Sequence, residues 1–173
     1  MNQDSKKKMV AEAAMEFIPE GAIVGVGTGS TVNLFIAYLA EKRDSIQAAV
    51  SSSEASSALL RKAGIEVLEL NSTGTLDVYV DGADEVDRHL NLIKGGGGAH
   101  LMEKIVATAS DKMVVITDAS KEVKTLGAFP LPVEVVPFGW QASRMLIEEL
   151  LNAMDVMGTQ ATLRMNGTRP YIT

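Results

Sequence analysis

An α/β fold, in which a mostly parallel sheet carries helices on both faces, is predicted by three observations. Short apolar runs such as 22–26 and 76–80 alternate with segments whose apolar residues recur at helical spacing. Strands alternating with helices are typical of a parallel sheet whose two faces are covered. Three of the apolar runs are followed by polar, glycine-containing stretches. The expected architecture is therefore Rossmann-like, with loops gathered at the carboxyl ends of the strands.

In the first half of the chain, three segments with helical spacing alternate with short apolar runs. Val10, Ala13, Ala14 and Phe17 share one helix face, and Pro19 with Gly21 ends that helix. Val32 to Leu39 form a second stripe, with Ser30 or Thr31 placed to cap its start. A third helix is expected over 54–62, stopped by Gly64. The strands predicted in this half are 22–26, 47–50, 65–70 and 76–80.

The second half continues the alternation and then changes character. A helical stripe at 102–109 precedes a strand at 113–117. Two prolines stiffen the stretch 129–132, so we place a domain boundary there. Beyond it we expect a helix around 147–154 and a hairpin that begins at 161–165, with a type I′ turn at Asn166-Gly167. The predicted domains are a Rossmann-like domain at 1–128 and the start of a small α+β lobe at 129–173.

Composition excludes several classes of protein. The chain has 173 residues, 46% of them hydrophobic, which suffices for one sizeable core and a small second lobe. Its formal net charge is −6, so we expect neither nucleic acid nor an anionic membrane as a partner. It has no cysteine and only two histidines, which argues against thiolate chemistry and a histidine-rich metal site. Without a spanning segment or a signal-peptide core, a cytoplasmic location is expected.

The first of the three loops is Gly27-Thr28-Gly29-Ser30-Thr31, between a strand and a helix. Free N–H groups at a helix start attract anions, and the hydroxyls of Thr28, Ser30 and Thr31 add donors. A tight turn with a helix cap is the structural alternative. A Walker loop requires a lysine that is absent here, and a dinucleotide fingerprint requires a third glycine where Ser30 stands. An anion-binding pocket is the favoured interpretation.

The second loop, Asp81-Gly82-Ala83-Asp84, opens a run with four carboxylates in the seven residues 81–87. Asp81 and Asp84 are suited to accept hydrogen bonds from sugar hydroxyls or to carry protons. A solvated acidic turn and a magnesium site are the alternatives. Lys94, thirteen residues after Asp81, supplies a counter-charge and weakens the case for a metal.

The third loop is Lys94-Gly95-Gly96-Gly97-Gly98, which leads into the helix that carries Glu103. Backbone donors of such a loop approach a ligand closely, and the Lys94 ammonium can stabilise an oxyanion. Glu103 stands among small residues near that loop, as suits a general base, whereas an isolated helix glutamate is usually solvated. Lys7 and Lys121 could add positive charge to the same site, with surface positions as the alternative.

Several motifs together resemble ribose-5-phosphate isomerase of the A type over nearly the whole chain. They are 25–31 (GVGTGST), 50–53 (VSSS), 79–85 (YVDGADE), 93–97 (IKGGG), 103–107 (EKIVA), 118–121 (DASK) and 129–135 (FPLPVEV). The resemblance implies reversible conversion of ribose 5-phosphate to ribulose 5-phosphate in the non-oxidative pentose phosphate pathway, without metal or organic cofactor. It also implies a phosphosugar as the partner and a homo-oligomer, either a dimer or a tetramer.

The resemblance carries roles onto individual residues of this chain. Glu103 would move a proton between C2 and C1 through an enediolate, while Lys94 would steady the oxyanion. Asp81 and Asp84 would contact the sugar and assist ring opening or proton transfer between oxygens. The remaining substrate-binding positions are Thr28, Gly29, Ser30, Thr31, Gly82, Ala83, Gly95, Gly96, Gly97, Lys121 and Lys7.

Two departures from the family pattern were found in the sequence. His100 and Met102 stand beside the expected base, and His100 lies one helical turn before Glu103, so we hypothesise that it modulates the pKa or position of that base. The chain also ends at Thr173, inside the small lobe, so we expect that lobe to be incomplete. A sugar-phosphate-binding sensor and a CoA-transferase-like domain on the same sheet remain the alternative functions.

Overall fold

A computed structural model describes residues 2–156 and 158–173 of the chain. It contains two compact units, Met1–Leu131 and Pro132–Thr173. The division into domains at 1–128 and 129–173 stays a prediction, because a compact unit need not fold independently. None of the described helices is long and apolar enough to cross a membrane.

A four-stranded parallel sheet forms the centre of the first unit. Its strands are β1 (Ile23–Val26), β2 (Ala48–Ser51), β3 (Val78–Asp81) and β6 (Met113–Val115), in the order β2-β1-β3-β6. All three neighbouring pairs are parallel. A separate antiparallel pair, β4 (Glu85–Val86) and β5 (Leu92–Ile93), follows β3. The predicted α/β class with a parallel sheet is confirmed.

Helices cover the sheet because successive strand residues point to opposite faces. The larger core combines Val24, Val26, Val78 and Val80 with residues of α1 (Gln3–Ala13), α2 (Ser30–Glu41) and α3 (Glu54–Lys62). On the other face, Tyr79 packs with Val106 of α4 (His100–Thr108). In β3, Val78 and Val80 point to the first face, whereas Tyr79 and Asp81 point to the second. Asp81 therefore lies on the side of α4.

Among its described residues, 132–156 and 158–173, the second unit contains one helix and one hairpin. The helix α5 spans Trp140–Ala153, and the hairpin pairs β7 (Met165–Asn166) with β8 (Arg169–Pro170). The predicted type I′ turn at Asn166-Gly167 is wrong by one residue. Asn166 is the last paired residue of β7, and of the two loop residues only Gly167 has a positive φ, +62°, as in a type II′ turn.

Two further local predictions are wrong. The expected strand at 65–70 is reduced to one parallel bridge between Ala49 and Val67, because the chain enters a 3₁₀ turn at Leu70–Ser72. The start of α2 is capped by neither Ser30 nor Thr31. Gly29 occupies the cap position with φ +111°, and no side chain among the described residues caps it. The hydroxyls of Ser30 and Thr31 are consequently inside the first turn of the helix.

Candidate active site

Gly25 of β1 and Gly27, the first residue after it, make room for the side chains of β3. Gly25 and Tyr79 are register partners, and a Cβ on Gly25 would lie 2.9 Å from Tyr79 Cδ2. A Cβ on Gly27 would lie 1.9 Å from Asp81 Oδ1, which no real contact allows. Asp81 therefore extends across the end of β1 into space that any other residue at position 27 would fill.

The Asp81 carboxylate is fully buried and accepts four hydrogen bonds. The backbone N–H groups of Thr28 and Gly82 donate to Oδ1 at 3.1 and 2.7 Å. The Tyr79 hydroxyl and Lys94 Nζ donate to Oδ2 at 2.5 and 2.7 Å. A buried carboxylate is stable only when it is satisfied in this way, so its orientation is well defined.

Lys94 joins the two acidic groups of the site. Its Nζ donates to Asp81 Oδ2 at 2.7 Å and to the Gly82 carbonyl at 2.6 Å, and it lies 3.3 Å from Glu103 Oε2. Its side chain is 13% exposed, which leaves one side of the ammonium open to a ligand. One cation thus lies between two buried carboxylates.

Glu103 sits in the first turn of α4 and is 5% exposed. Its Oε2 atom accepts no hydrogen bond from any described residue, so the 3.3 Å contact with Lys94 is an ion pair without hydrogen-bond alignment. Burial and the nearby Asp81 charge raise the pKa of Glu103, and Lys94 opposes them. His100 also acts to lower that pKa, although the hypothesis made for it gave no direction. That hypothesis stays a prediction.

The acidic side chains that follow β3 accept hydrogen bonds from different segments. Asp84 Oδ2 accepts the Gly96 N–H at 2.8 Å, and buried Glu85 accepts the N–H groups of Gly127 and Ala128. Asp87 is half-buried and accepts from the Asn91 N–H within its own turn. Among the described residues, no group of three or more His, Asp or Glu is arranged to hold a metal ion.

The start of α2 supplies the other end of the site. Lys7 Nζ, from α1, donates to Ser30 Oγ at 2.9 Å. The first backbone N–H groups of a helix lack intrahelical partners, and the helix dipole is positive at this end. An ammonium and two hydroxyls therefore surround a helix start, which is suited to an anion.

These groups line one cleft of about 200 Å³. Of the predicted site residues, all but Gly96 and Lys7 line it, and those two contact the lining residues Asp84 and Ser30. Sequence reasoning missed Tyr79 and Asp118. Tyr79 alternates with Asp81 on one strand face, which was a usable signal. Asp118 lines the cleft, and hydrogen bonds from Ser120, together with the charges of Lys6 and Lys7, lower its pKa. The other lining residues not predicted are Val32, Ile116 and Thr117.

Fold and site together define an α/β protein with an acid–base cleft at the carboxyl ends of its parallel strands. Residues 48–173 match the family model of ribose 5-phosphate isomerase A (phosphoriboisomerase A). The chain therefore belongs to the ribose 5-phosphate isomerase A family, as its motifs predicted.

Relatives and solved structures extend the match over nearly the whole chain. A ribose-5-phosphate isomerase A of Ruegeria sp. is 54% identical, over 98% of this chain and 66% of its own length. The crystal structure of ribose 5 phosphate isomerase A from Neisseria gonorrhoeae is 49% identical with a TM-score of 0.85, and covers 97% of this chain and 72% of that one. A D-ribose-5-phosphate isomerase in complex with phospho-erythronic acid is 37% identical, with a TM-score of 0.88 and coverage of 99% and 75%. The chain thus spans 66% of the length of the Ruegeria relative.

Proposed function

We propose that this chain carries the catalytic groups of a ribose-5-phosphate isomerase, which interconverts ribose 5-phosphate and ribulose 5-phosphate. The observation that carries the proposal is the buried Glu103 carboxylate, which has one oxygen without a hydrogen bond and lies 3.3 Å from the Lys94 ammonium. The names of the relatives support this activity over the sensor and CoA-transferase alternatives.

The cleft suits a phosphorylated, open-chain sugar because its two ends differ. The phosphate would bind at the start of α2, against the backbone N–H groups and the hydroxyls of Ser30 and Thr31, with Lys7 and Lys121 nearby. The sugar carbons would then extend toward Asp84, Lys94 and Glu103. One solved relative is in complex with phospho-erythronic acid, a compound that carries a phosphate and a carboxylic acid group. Such a ligand is consistent with a cleft that binds an anion at each end.

The reaction requires that one proton move between adjacent carbons. Glu103 would remove the C2 proton of the open-chain aldose, leaving an enediolate, and the resulting carboxylic acid would protonate C1 after exchanging its proton with water. Lys94 would stabilise the negative charge that develops on the substrate oxygen. Asp84, half-buried at the mouth of the acidic loop, would pass the hydroxyl proton from O2 to O1 and assist ring opening. One proton is removed from C2 and one is added to C1, while one moves from O2 to O1, so the step balances without an oxidant or a reductant.

The environment of Glu103 fits the role of a base. Burial raises its pKa, and a carboxylate whose pKa is raised toward the working pH accepts a carbon-bound proton more readily than an ordinary glutamate. Lys94 opposes that rise in pKa and so favours the charged carboxylate.

Ketose formation from ribose 5-phosphate tests the proposal directly. We expect the full chain to form ribulose 5-phosphate, and Glu103→Gln to lower kcat by about 10²-fold or more. Binding of phospho-erythronic acid, measured by calorimetry, should persist in that variant. Glu12→Gln, at an exposed position on α1, is the matched control and should retain full activity. A Glu103→Gln variant as active as the unmodified chain would refute the assignment.

Two broader properties are proposed with the activity. We expect a homo-oligomer, to be measured by analytical ultracentrifugation, and a cytoplasmic location, to be measured by cell fractionation. Neither is needed for the groups described above to meet, since all of them lie within the first unit.

A further inference from the structure

Tyr79 is a buried polar side chain that the proposed reaction does not use. It is 0% exposed, its ring lies close to Gly25 of β1, and it packs in one cluster with Val106 of α4. Because Tyr79 and Asp81 are two residues apart on β3, they share one face of the sheet. The Tyr79 hydroxyl reaches Asp81 Oδ2 at 2.5 Å and donates to it.

The hydrogen bond from Tyr79 ends on Asp81 Oδ2, the oxygen that also contacts Lys94. The same oxygen accepts from Lys94 Nζ at 2.7 Å, while Oδ1 is held by two backbone N–H groups. Tyr79 and Lys94 therefore share one carboxylate oxygen. Since the Tyr79 ring is fully buried and packed in the second core, its hydroxyl limits where Oδ2 and the Lys94 ammonium can lie.

The Tyr79 hydroxyl is a permanent donor. Burial, followed by the charge and hydrogen bond of Asp81, raises its pKa far above the ordinary value, and the Ser52 hydroxyl opposes this only in part. A neutral tyrosine brings no charge of its own, but its O–H dipole offsets part of the Asp81 charge.

We propose that Tyr79 is a positioning residue for the isomerisation: its hydroxyl fixes Asp81 Oδ2, so that Lys94 Nζ is held between the carboxylates of Asp81 and Glu103. This inference rests on the proposed function for its kinetic consequence, whereas the geometric consequence is independent of it. The competing explanation is that Tyr79 only fills space between the sheet and α4.

Tyr79→Phe separates the two explanations because it removes the hydroxyl and keeps the ring. We expect kcat to fall about tenfold, the worth of one hydrogen bond to a charged group. KM should change by less than about twofold, because the residue does not touch the substrate. Tyr38→Phe, which removes a hydroxyl from α2 outside the cleft, is the matched control and should leave both constants unchanged.

The titration of Glu103 provides a readout that does not depend on activity. The groups that face Glu103 are Asp81 and Tyr79 from β3, Lys94 from the loop after β5, and His100 from its own helix. Without the Tyr79 dipole, Asp81 attracts Lys94 more strongly and Glu103 experiences more negative charge. We expect the Glu103 carboxyl signal, followed by carbon NMR and assigned by its loss in Glu103→Gln, to titrate at higher pH in Tyr79→Phe.

The outcomes are distinguishable. If Tyr79→Phe keeps the unmodified kcat and Glu103 titration, the positioning role is refuted while the isomerase proposal stands. If Val106→Ala, which loosens the ring but leaves the hydroxyl, reproduces the titration shift, packing explains the effect and the proposal is also refuted. If the unmodified chain forms no ketose, the function fails, and the Glu103 titration alone decides the role of Tyr79.

Discussion

At the scale of single residues, the site depends on Gly27, because its lack of a side chain leaves room for Asp81. Asp81 occupies the space beside Gly27, where a Cβ would lie 1.9 Å from Oδ1 and 2.5 Å from the Asp81 Cβ. The conflict involves the start of the Asp81 side chain, so a rotation about its outer bonds cannot relieve it. Four hydrogen bonds to the carboxylate oppose any larger displacement.

Gly27→Ala should therefore damage both stability and activity. Forcing a methyl group into a packed site costs about 1–3 kcal/mol, and here it also displaces a buried charge from its donors. We expect a lower melting temperature and a loss of ketose formation. Gly82→Ala is the stability control, since its Cβ would meet only the Ile116 carbonyl oxygen at 3.8 Å. Equal melting temperatures for Gly27→Ala and the unmodified chain would contradict the close approach described here.

Sequence reasoning at this scale found the groups that stand out by charge and missed one that does not. Asp81, Lys94 and Glu103 could be found because each is a charged residue in or near a glycine-containing loop. Tyr79 lies in an apolar run and is typical of a core position. Its two-residue separation from Asp81 was visible, but the contact depends on Gly25 and Val106, which are distant along the chain.

At the scale of elements, Glu85 connects two segments of the site. Its carboxylate accepts the N–H groups of Gly127 at 2.7 Å and Ala128 at 2.9 Å, and the Val123 N–H donates to the Val86 carbonyl at 2.9 Å. These contacts attach the segment after Lys121 to β4, which directly follows Asp84. The short strand β4 thus holds a lysine-bearing segment beside the acidic loop.

Glu85→Gln should loosen that attachment. An amide offers only one oxygen to two backbone donors and turns its own NH₂ group toward the second. We expect faster amide exchange at Gly127 and Ala128, and a KM about fivefold higher with a smaller change in kcat, because Lys121 is held less firmly. Asp87→Asn is the control, since the side-chain hydrogen bonds of Asp87 to described residues, His89 and Asn91, lie within its own turn. Unchanged exchange at Gly127 would contradict this role.

Element boundaries were predictable where local rules decide them. The helix predicted at 54–62 is observed as Glu54–Lys62, with Ser53 as its cap. The strand predicted at 65–70 failed because apolar residues alone do not ensure a ladder, and only Val67 forms a bridge. The cap of α2 failed because Gly29 turns the chain at positive φ, one residue before the hydroxyls.

At the scale of the whole molecule, the position of the cleft follows from topology. The loops at 27–31 and 81–84 meet because β1 and β3 are parallel neighbours that end at one edge of the sheet. The loop at 94–98 instead follows β5 of the separate antiparallel pair, and Lys94 joins it to Asp81. The meeting of the first two loops could be predicted from the alternation of strands and helices, whereas the prediction that the third also follows a parallel strand was wrong. The distances could not, because they depend on packing between segments such as β3 and α4. The identity of the sugar came from resemblance, since many phosphosugars satisfy the same groups.

The account depends most on Glu103 as the group that carries a proton between neighbouring carbons. The most direct test is the conversion of ribose 5-phosphate in D₂O, with NMR detection of solvent deuterium at C1 of the ketose. We expect the full chain to form ketose with deuterium at that carbon, and Glu103→Gln to lose ketose formation and deuterium incorporation together, by about 10²-fold or more. Deuterium incorporation by Glu103→Gln at the rate of the unmodified chain would contradict the account.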